Sequence, residues 1–226
     1  MIETLEKEEN KTETEIKDDE LIAIFNKFKK IKLSGNPKFQ KIDTWLEKEA
    51  NLYLGETKNR KRRKFKYKRG TIVKVNFGVN PGSELCHTHF AIVLNNDDNI
   101  AKDTVTVVPL SSKPGVGRIP LNNLITEEII KSIKKQMLKI PTPSEEDTAT
   151  AIELINEYRK YTNFSYALIS QITAVSKSRM IFSNNKYDII NKSRCSKAIL
   201  EEIDNAIIKT MTGVKLIEHT TEKVKI

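Results

Sequence analysis

The stretch RGTIVKVNFGVNPGSELCHTHFAIVLNNDDN at residues 69–99, followed by DTVTVVPLSS at 103–112, decides the fold. Residues 70–78 alternate polar and apolar side chains and are rich in β-formers, which predicts a strand. Residues 89–96, HFAIVLNN, indicate a buried strand that ends in a polar cluster, and residues 103–112 predict a third strand. A turn-rich loop, residues 79–84, separates the first two strands.

Helices and further strands are predicted after this core. The segment FSYALISQITAVS (164–176) indicates either a pair of strands or one long bent strand. Three segments have apolar residues at helical spacing, and Ser144 is a candidate N-cap for the second: residues 126–138, 144–160 and 194–212. Strands first, with helices inserted and at the end, predict an α+β domain on a small antiparallel barrel or sheet.

The segment before residue 65 has a different character. Residues 20–33 and 39–54 each show a helical apolar stripe, and Gly35 to Pro37 break the pattern between them, which predicts a helical hairpin. These stripes must bury against each other, the main domain or another chain. Residues 1–20 hold nine acidic and three basic residues and few apolar ones, so we expect a disordered acidic tail.

Charge and composition limit the classes of function. The 226 residues have a formal net charge of +9, which favours a polyanionic partner. The densest basic run is KNRKRRKFKYKR (58–69), either a phosphate-binding segment with stacking aromatic rings or a solvated linker. No apolar run approaches the roughly 20 residues of a membrane span. The polar start and two cysteines predict a cytoplasmic protein without a disulfide framework.

Reactive residue types cluster tightly at one place only, Cys86-His87-Thr88-His89. A zinc site needs more ligands than these, and their spacing matches no common zinc motif. The sequence also lacks phosphate-cradling and dinucleotide-binding glycine motifs. We therefore expect neither a metal nor a cofactor.

Five ordered blocks over about residues 66–213 resemble the PemK/MazF family of type II toxin-antitoxin endoribonucleases. They are Arg69-Gly70 with its alternating strand, the loop Gly82-Ser83-Glu84, the strand AIVLNNDDN, the strand end VVPLSS, and SYALISQITAVSKSRM followed by the closing helix ILEEIDNAIIKTM. The resemblance implies a small SH3-like β-barrel with inserted and C-terminal helices, here preceded by a helical extension. It divides the chain into an acidic tail (1–20), the hairpin and basic linker (21–64), a toxin domain (65–213) with a helical insertion at about 114–165, and a tail (214–226).

The resemblance also implies the activity and partners. Such enzymes cleave single-stranded RNA without a metal, by attack of a 2′-hydroxyl on the adjacent phosphate, usually as homodimers controlled by an antitoxin protein. Many members have Arg-Pro before the second strand, with a catalytic Arg, whereas His89-Phe90 stands here. A histidine can give or take a proton near neutral pH, so the change redistributes the roles. The implied catalytic residues are His89, Ser111 with Ser112 as the near alternative, and Glu84. The implied RNA-binding residues are Lys66, Lys68, Arg69, His87, Lys113, Gln171, Lys177 and Arg179.

Two other functions stay open from the sequence. The departure at His89 is compatible with an inactive relative that binds RNA or DNA without cutting it. The hairpin at 20–54 is compatible with a protein-interaction module that docks a partner or another subunit.

Overall fold

A computed structural model describes residues 18–58, 65–121, 124–159 and 165–213. The chain divides into two compact units, residues 1–54 and 55–226. Among the described residues, no helix has the length and apolar character needed to cross a membrane.

The first unit holds the two predicted helices. Helix α1 is Asp18–Lys32, a 3-10 turn follows at Pro37–Phe39, and helix α2 is Ile42–Thr57, which extends a little past the unit boundary. An ion pair between Lys32 and Asp43 joins the two helices. The expected burial of the apolar stripe of α1 is only partial, because four of its large apolar side chains are 40–62% exposed: Leu21, Ile22, Ile24 and Phe25.

The second unit is an α+β domain, as predicted. Its strands are β1 (Ile72–Asn76), β2 (Thr88–Val93), β3 (Thr104–Ser111), β4 (Arg118–Pro120), β5 (Tyr166–Leu168) and β6 (Thr173–Ser176). Its helices are α3 (Leu124–Met137), α4 (Glu145–Arg159) and α5 (Lys197–Met211), with 3-10 turns at Ile169–Gln171 and Lys177–Arg179. The segment at 164–176 is therefore a pair of short strands with a turn between them.

The six strands form one antiparallel sheet in the order β1-β2-β3-β5-β4, with β6 also paired to β3. Strand β3 is long enough to pair with β2 along one edge and with both β6 and β5 along the other. The chain after β6 turns back to β1, where Val75 and Met180 form an isolated bridge, and a second isolated bridge joins Thr71, just before β1, to Arg194. Among the described residues, the sheet is not closed into a barrel by a full strand ladder.

Two apolar cores follow from the alternation of side chains along the strands. One lies on the face of the sheet away from the helices and includes Val73, Val75, Val93 and Val107. The other lies between the outer face of the sheet and the helices, where Ile72 and Ile92 meet Ile133 of α3, Leu154 of α4 and Ile203 of α5. The helices thus cover one face of the sheet and leave the strand ends at Thr88 and Ser111 outside that layer.

The helix starts follow from capping residues. The hydroxyl of Ser144 accepts a hydrogen bond from the Asp147 amide at 3.0 Å, and the Ser144 amide donates to the Asp147 carboxylate at 3.1 Å. This reciprocal cap confirms the N-cap predicted for Ser144. At α5, the Ser196 hydroxyl accepts from the Ile199 amide.

Candidate active site

Strands β2 and β3 bring His89 and Ser111 to the same end of the sheet. In their antiparallel register, Ala91 lies opposite Pro109, and His89 and Ser111 are each two positions further toward that end. Because side chains two residues apart share one face of a strand, His89 and Ser111 lie on the same face as Ala91 and Val107. Ala91 and Val107 belong to the core on the face away from the helices, so His89 and Ser111 lie at the edge of that core.

His89 is held by a backbone contact. Its Nδ1 lies 3.0 Å from the carbonyl oxygen of Leu110, and its ring and that of Phe77 form a T-shaped pair with 6.4 Å between centroids. A carbonyl oxygen only accepts hydrogen bonds, so the neutral ring has its proton on Nδ1 and leaves Nε2 as the basic nitrogen. Burial lowers the pKa of His89, and the hydrogen bonds to backbone of Leu110 and Cys86 offset part of that effect. The ring is therefore neutral at neutral pH.

Ser111 has both of its acceptor positions filled by nearby groups. Its hydroxyl oxygen accepts from the Lys113 amide at 3.1 Å and from Nη1 of Arg118 at 3.0 Å. A serine hydroxyl offers one donor hydrogen and two lone pairs. These contacts direct the O–H hydrogen of Ser111 toward a third group, which is the role required of a donor to a phosphate oxygen.

Arg118 is the residue of this cluster that the sequence reasoning missed. It begins the three-residue strand β4, whose register places it opposite Leu168 of β5. Its Nη1 bonds both the Ser111 hydroxyl and, at 2.8 Å, the carbonyl oxygen of Lys113. Its positive charge is one of the causes that lower the pKa of His89. The only signal in the sequence was an arginine that follows Gly115 and Gly117 after the strand end.

The loop between β1 and β2 is fixed by polar side chains on both sides. The Asn80 side-chain amide donates to the carbonyl oxygens of Phe77 at 3.0 Å and Leu85 at 2.7 Å. Gln171 accepts from the Leu85 amide and donates to the Ser83 carbonyl oxygen, each at 3.2 Å. Gln171 thus joins the predicted Gly-Ser-Glu loop to the turn between β5 and β6.

Two predicted site residues lie on that loop. Glu84 and His87 are both exposed. His87 has a positive φ of 69°, and its amide donates to the Gly78 carbonyl oxygen at 2.6 Å. The φ angle turns the chain into β2, which fixes the backbone directly before His89.

A comparison with protein families matches residues 68–211 to the family described as PemK-like, MazF-like toxin of type II toxin-antitoxin system. The chain belongs to this PemK-like toxin family. The matched range includes residues 114–165, where the helical insertion was predicted. No curated protein matches the chain.

The basic residues assigned to RNA divide into exposed and internally paired groups. Lys66, Lys68, Lys113 and the neighbouring Ser112 are exposed in the second unit. Residues 59–64 of the basic run, and the tails at 1–17 and 214–226, lie outside the described residues.

Arg69 and Lys177 are engaged within the domain. The Arg69 guanidinium contacts the Leu94 carbonyl oxygen and the Asp204 carboxylate of α5. The Lys177 ammonium group pairs with Asp98 and donates to the carbonyl oxygens of Phe65 and Asn99, each at 2.8 Å. Arg179 is half-buried. These contacts give Arg69 and Lys177 structural roles, and their binding to RNA stays a prediction.

The two cysteines of the PemK-like domain differ in environment. Burial raises the pKa of Cys195 to about 11, so its thiol is protonated at neutral pH. The Cys86 sulfur lies 3.2 Å from the Asn80 amide nitrogen and belongs to the β1–β2 loop. Within the described ranges, no three His, Cys, Asp or Glu residues group as ligands for one metal ion.

Proposed function

We propose that this PemK-like toxin is an endoribonuclease that cleaves single-stranded RNA, chiefly messenger RNA, without a metal ion. The observation that carries the proposal is the placement of a neutral, anchored His89 at the same sheet end as the Ser111 hydroxyl. A base of this kind and a donor to phosphate are what transfer of a phosphoryl group to a neighbouring 2′-hydroxyl requires.

The reaction starts at the ribose 2′-hydroxyl. Nε2 of His89 takes its proton as the 2′-oxygen forms a bond to the adjacent phosphorus. The bond from phosphorus to the 5′-oxygen of the next nucleotide breaks, and that oxygen takes a proton from water. The products are a 2′,3′-cyclic phosphate and a 5′-hydroxyl, and the proton on His89 returns to solvent.

Ser111 acts on the phosphate during this step. The phosphodiester has one negative charge, and the pentacoordinate intermediate gains a second on its non-bridging oxygens. A hydroxyl whose hydrogen is directed away from Lys113 and Arg118 can donate to one of these oxygens. In this scheme Glu84 shapes the loop over the RNA.

Exposed basic side chains extend the site along the RNA backbone. Lys66, Lys68, Lys113 and His87 are the residues whose exposure supports this role, together with the basic run that precedes them. Gln171 contributes by holding the β1–β2 loop. We place Arg179 on the same track.

Membership of the toxin family also supports two partners. We propose that the protein acts as a homodimer and that an antitoxin protein neutralises it. Light scattering of the purified chain tests the first proposal, since a mass of one chain at micromolar concentration would contradict it.

Cleavage of single-stranded RNA in EDTA tests the activity. Wild type is expected to cut, and sequencing of the new ends is expected to give 5′-hydroxyl termini. His89→Ala and Ser111→Ala are expected to lose about 10²-fold or more in rate. Comparison of Ser111→Ala with Ser112→Ala shows which of the two serines the reaction needs. RNA left intact by wild type would overturn the proposal. So would cleavage that EDTA abolishes and His89→Ala leaves unchanged.

A further inference from the structure

We propose that Arg118 is a catalytic residue of this site and binds the phosphate at which the RNA is cut. The inference rests on the proposed function and deepens it. At the position near the start of β2 where many family members have arginine, this chain has His89. The structure supplies a guanidinium from another strand, β4, directly beside the Ser111 hydroxyl.

The first argument is the chemistry of the guanidinium. It has five N–H donors in a fixed fork, which suits the oxygens of a phosphate. Both of the hydrogen bonds of Arg118 described above use Nη1. Nε and Nη2 therefore provide donors beyond those that hold the side chain against Ser111 and Lys113. A phosphate bonded to Ser111 lies within reach of the same fork, and its developing charge is stabilised by a full positive charge.

The second argument is the room that Gly115 leaves. A Cβ atom at position 115 would lie 2.8 Å from Nε of Arg118 and 3.0 Å from its Cδ. The side chain of Arg118 therefore occupies space that any other residue at position 115 would fill. Gly117, at a φ of +70°, turns the chain so that β4 can pair with β5. The loop from Ser112 to Gly117 thus brings the Arg118 guanidinium back beside the end of β3.

The third argument is electrostatic. The charge of Arg118 reaches His89, where it favours the neutral ring. One cation thus acts on both partners of the proposed reaction: it adds to the effect of burial, which lowers the pKa of His89, and it lies where it can bind the phosphate. Its other possible role is structural, as a clamp that holds the 112–117 loop through the Lys113 carbonyl oxygen.

Single-turnover cleavage of single-stranded RNA in EDTA distinguishes these roles. Arg118→Ala is expected to lose about 10²-fold in rate, and millimolar guanidinium ion is expected to restore part of it. Lys197→Ala removes one charge from a 91% exposed side chain on α5 and is expected to keep the wild-type rate. A rate for Arg118→Ala equal to wild type would overturn the inference. A loss that guanidinium ion does not restore would also overturn it, in favour of the clamp.

A pair of glycine variants tests the same point without touching the arginine. Gly115→Ala is expected to displace the guanidinium and slow cleavage, because the flexible side chain yields more easily than the backbone. Gly213→Ala, where an added Cβ meets nothing within 4 Å, is its control and is expected to cleave like wild type. Equal rates for the two variants would contradict the claim that Gly115 makes room for a catalytic side chain.

RNA binding separates a failure of this inference from a failure of the proposed function. If wild type binds single-stranded RNA but does not cut it, the proposed function is wrong and the phosphate contact is still measurable. Arg118→Ala is then expected to reduce the slope of log K against log salt by about 0.7, the value for one phosphate contact on a single strand. A slope equal to that of wild type and of Lys197→Ala would overturn the contact itself.

Discussion

The Lys177 ammonium nitrogen lies 2.8 Å from Oδ1 of Asp98, and their side chains are only 9% and 0% exposed. The same ammonium group donates to two carbonyl oxygens, and the second carboxylate oxygen of Asp98 accepts from the Tyr67 amide at 2.7 Å. Burial and the nearby carboxylate raise the pKa of Tyr67 to about 12. This cluster joins the entry of the PemK-like domain to the turn after β6.

Removing the cation of this pair is expected to destabilise the fold. Lys177→Met keeps an apolar stem and leaves the Asp98 carboxylate buried without its partner, which costs about 3–5 kcal/mol of the free energy of unfolding. Urea denaturation followed by circular dichroism measures the loss. The neighbouring pair Asp97–Lys102 is the control, because its side chains are 79% and 42% exposed and Lys102→Met should change stability little. Equal effects of the two substitutions would contradict a structural role for Lys177.

The helices α3 and α4 are expected to be indispensable to the PemK-like domain, although they lie in the segment predicted as an insertion. Leu154 of α4 is 3% exposed and packs in the core shared with the sheet, whereas Ile152, two residues earlier, is 52% exposed. Leu154→Ala should therefore cost about 2–5 kcal/mol of unfolding free energy, and Ile152→Ala should have a minor effect. Thermal and urea unfolding of both variants measure this. A tolerated Leu154→Ala would mean that α4 is a separable addition.

The strands and helices were predictable because their periodicity is local. The alternation in residues 70–78 and the apolar run at 89–96 mark β1 and β2, and Ser144 marks the start of α4. Strand β4 was not predictable, since three residues such as Arg118–Pro120 carry no periodicity and pair only with β5, far along the chain. The extent of barrel closure was not predictable for a related reason: the chain after β6 meets the first strand region at two isolated bridges, Val75–Met180 and Thr71–Arg194, and sequence patterns do not fix how many pairs form.

The candidate site was predictable only in part. His89 and Ser111 stand at strand ends, where a motif can point to them. The partners that define their chemistry, the Leu110 carbonyl oxygen and the Arg118 guanidinium, depend on strand register and on the turn after β3. Charge alone does not distinguish roles, because a lysine such as Lys177 looks the same in a sequence whether it is solvated or paired with a buried carboxylate.

The anchoring of the β1–β2 loop by Gln171 is expected to be measurable at single amides. Gln171→Ala removes the acceptor for the Leu85 amide and the donor to the Ser83 carbonyl oxygen. Each lost hydrogen bond is worth about 1 kcal/mol, so hydrogen exchange at Leu85 should speed up by about fivefold to tenfold. RNA cleavage should show a higher KM with a smaller change in kcat, because in the proposed function the loop positions the RNA and takes no part in the chemical step. Thr173→Ala, at an exposed position two residues away, is the control. Unchanged Leu85 exchange in Gln171→Ala would contradict the anchoring.

The protonation of His89 should set the acid limb of the pH profile for RNA cleavage. Burial lowers its pKa below the ordinary value of 6.5, so the ring remains the neutral base until the pH falls below this lowered pKa. The rate should therefore be level near neutrality and should fall tenfold per pH unit below the lowered pKa. Ser111→Ala should be slower at every pH and keep the same acid limb, because the limb belongs to His89.

Folding stability should depend on pH with the same sign. The unfolded chain binds this proton more readily, so the contribution of His89 to stability is complete above about pH 6.5 and is lost as the pH falls through the folded-state pKa. His89→Gln should remove that part of the pH dependence in urea unfolding measured at a series of pH values. An acid limb centred above pH 6.5, or one that Ser111→Ala shifts, would contradict the assignment of His89 as the base.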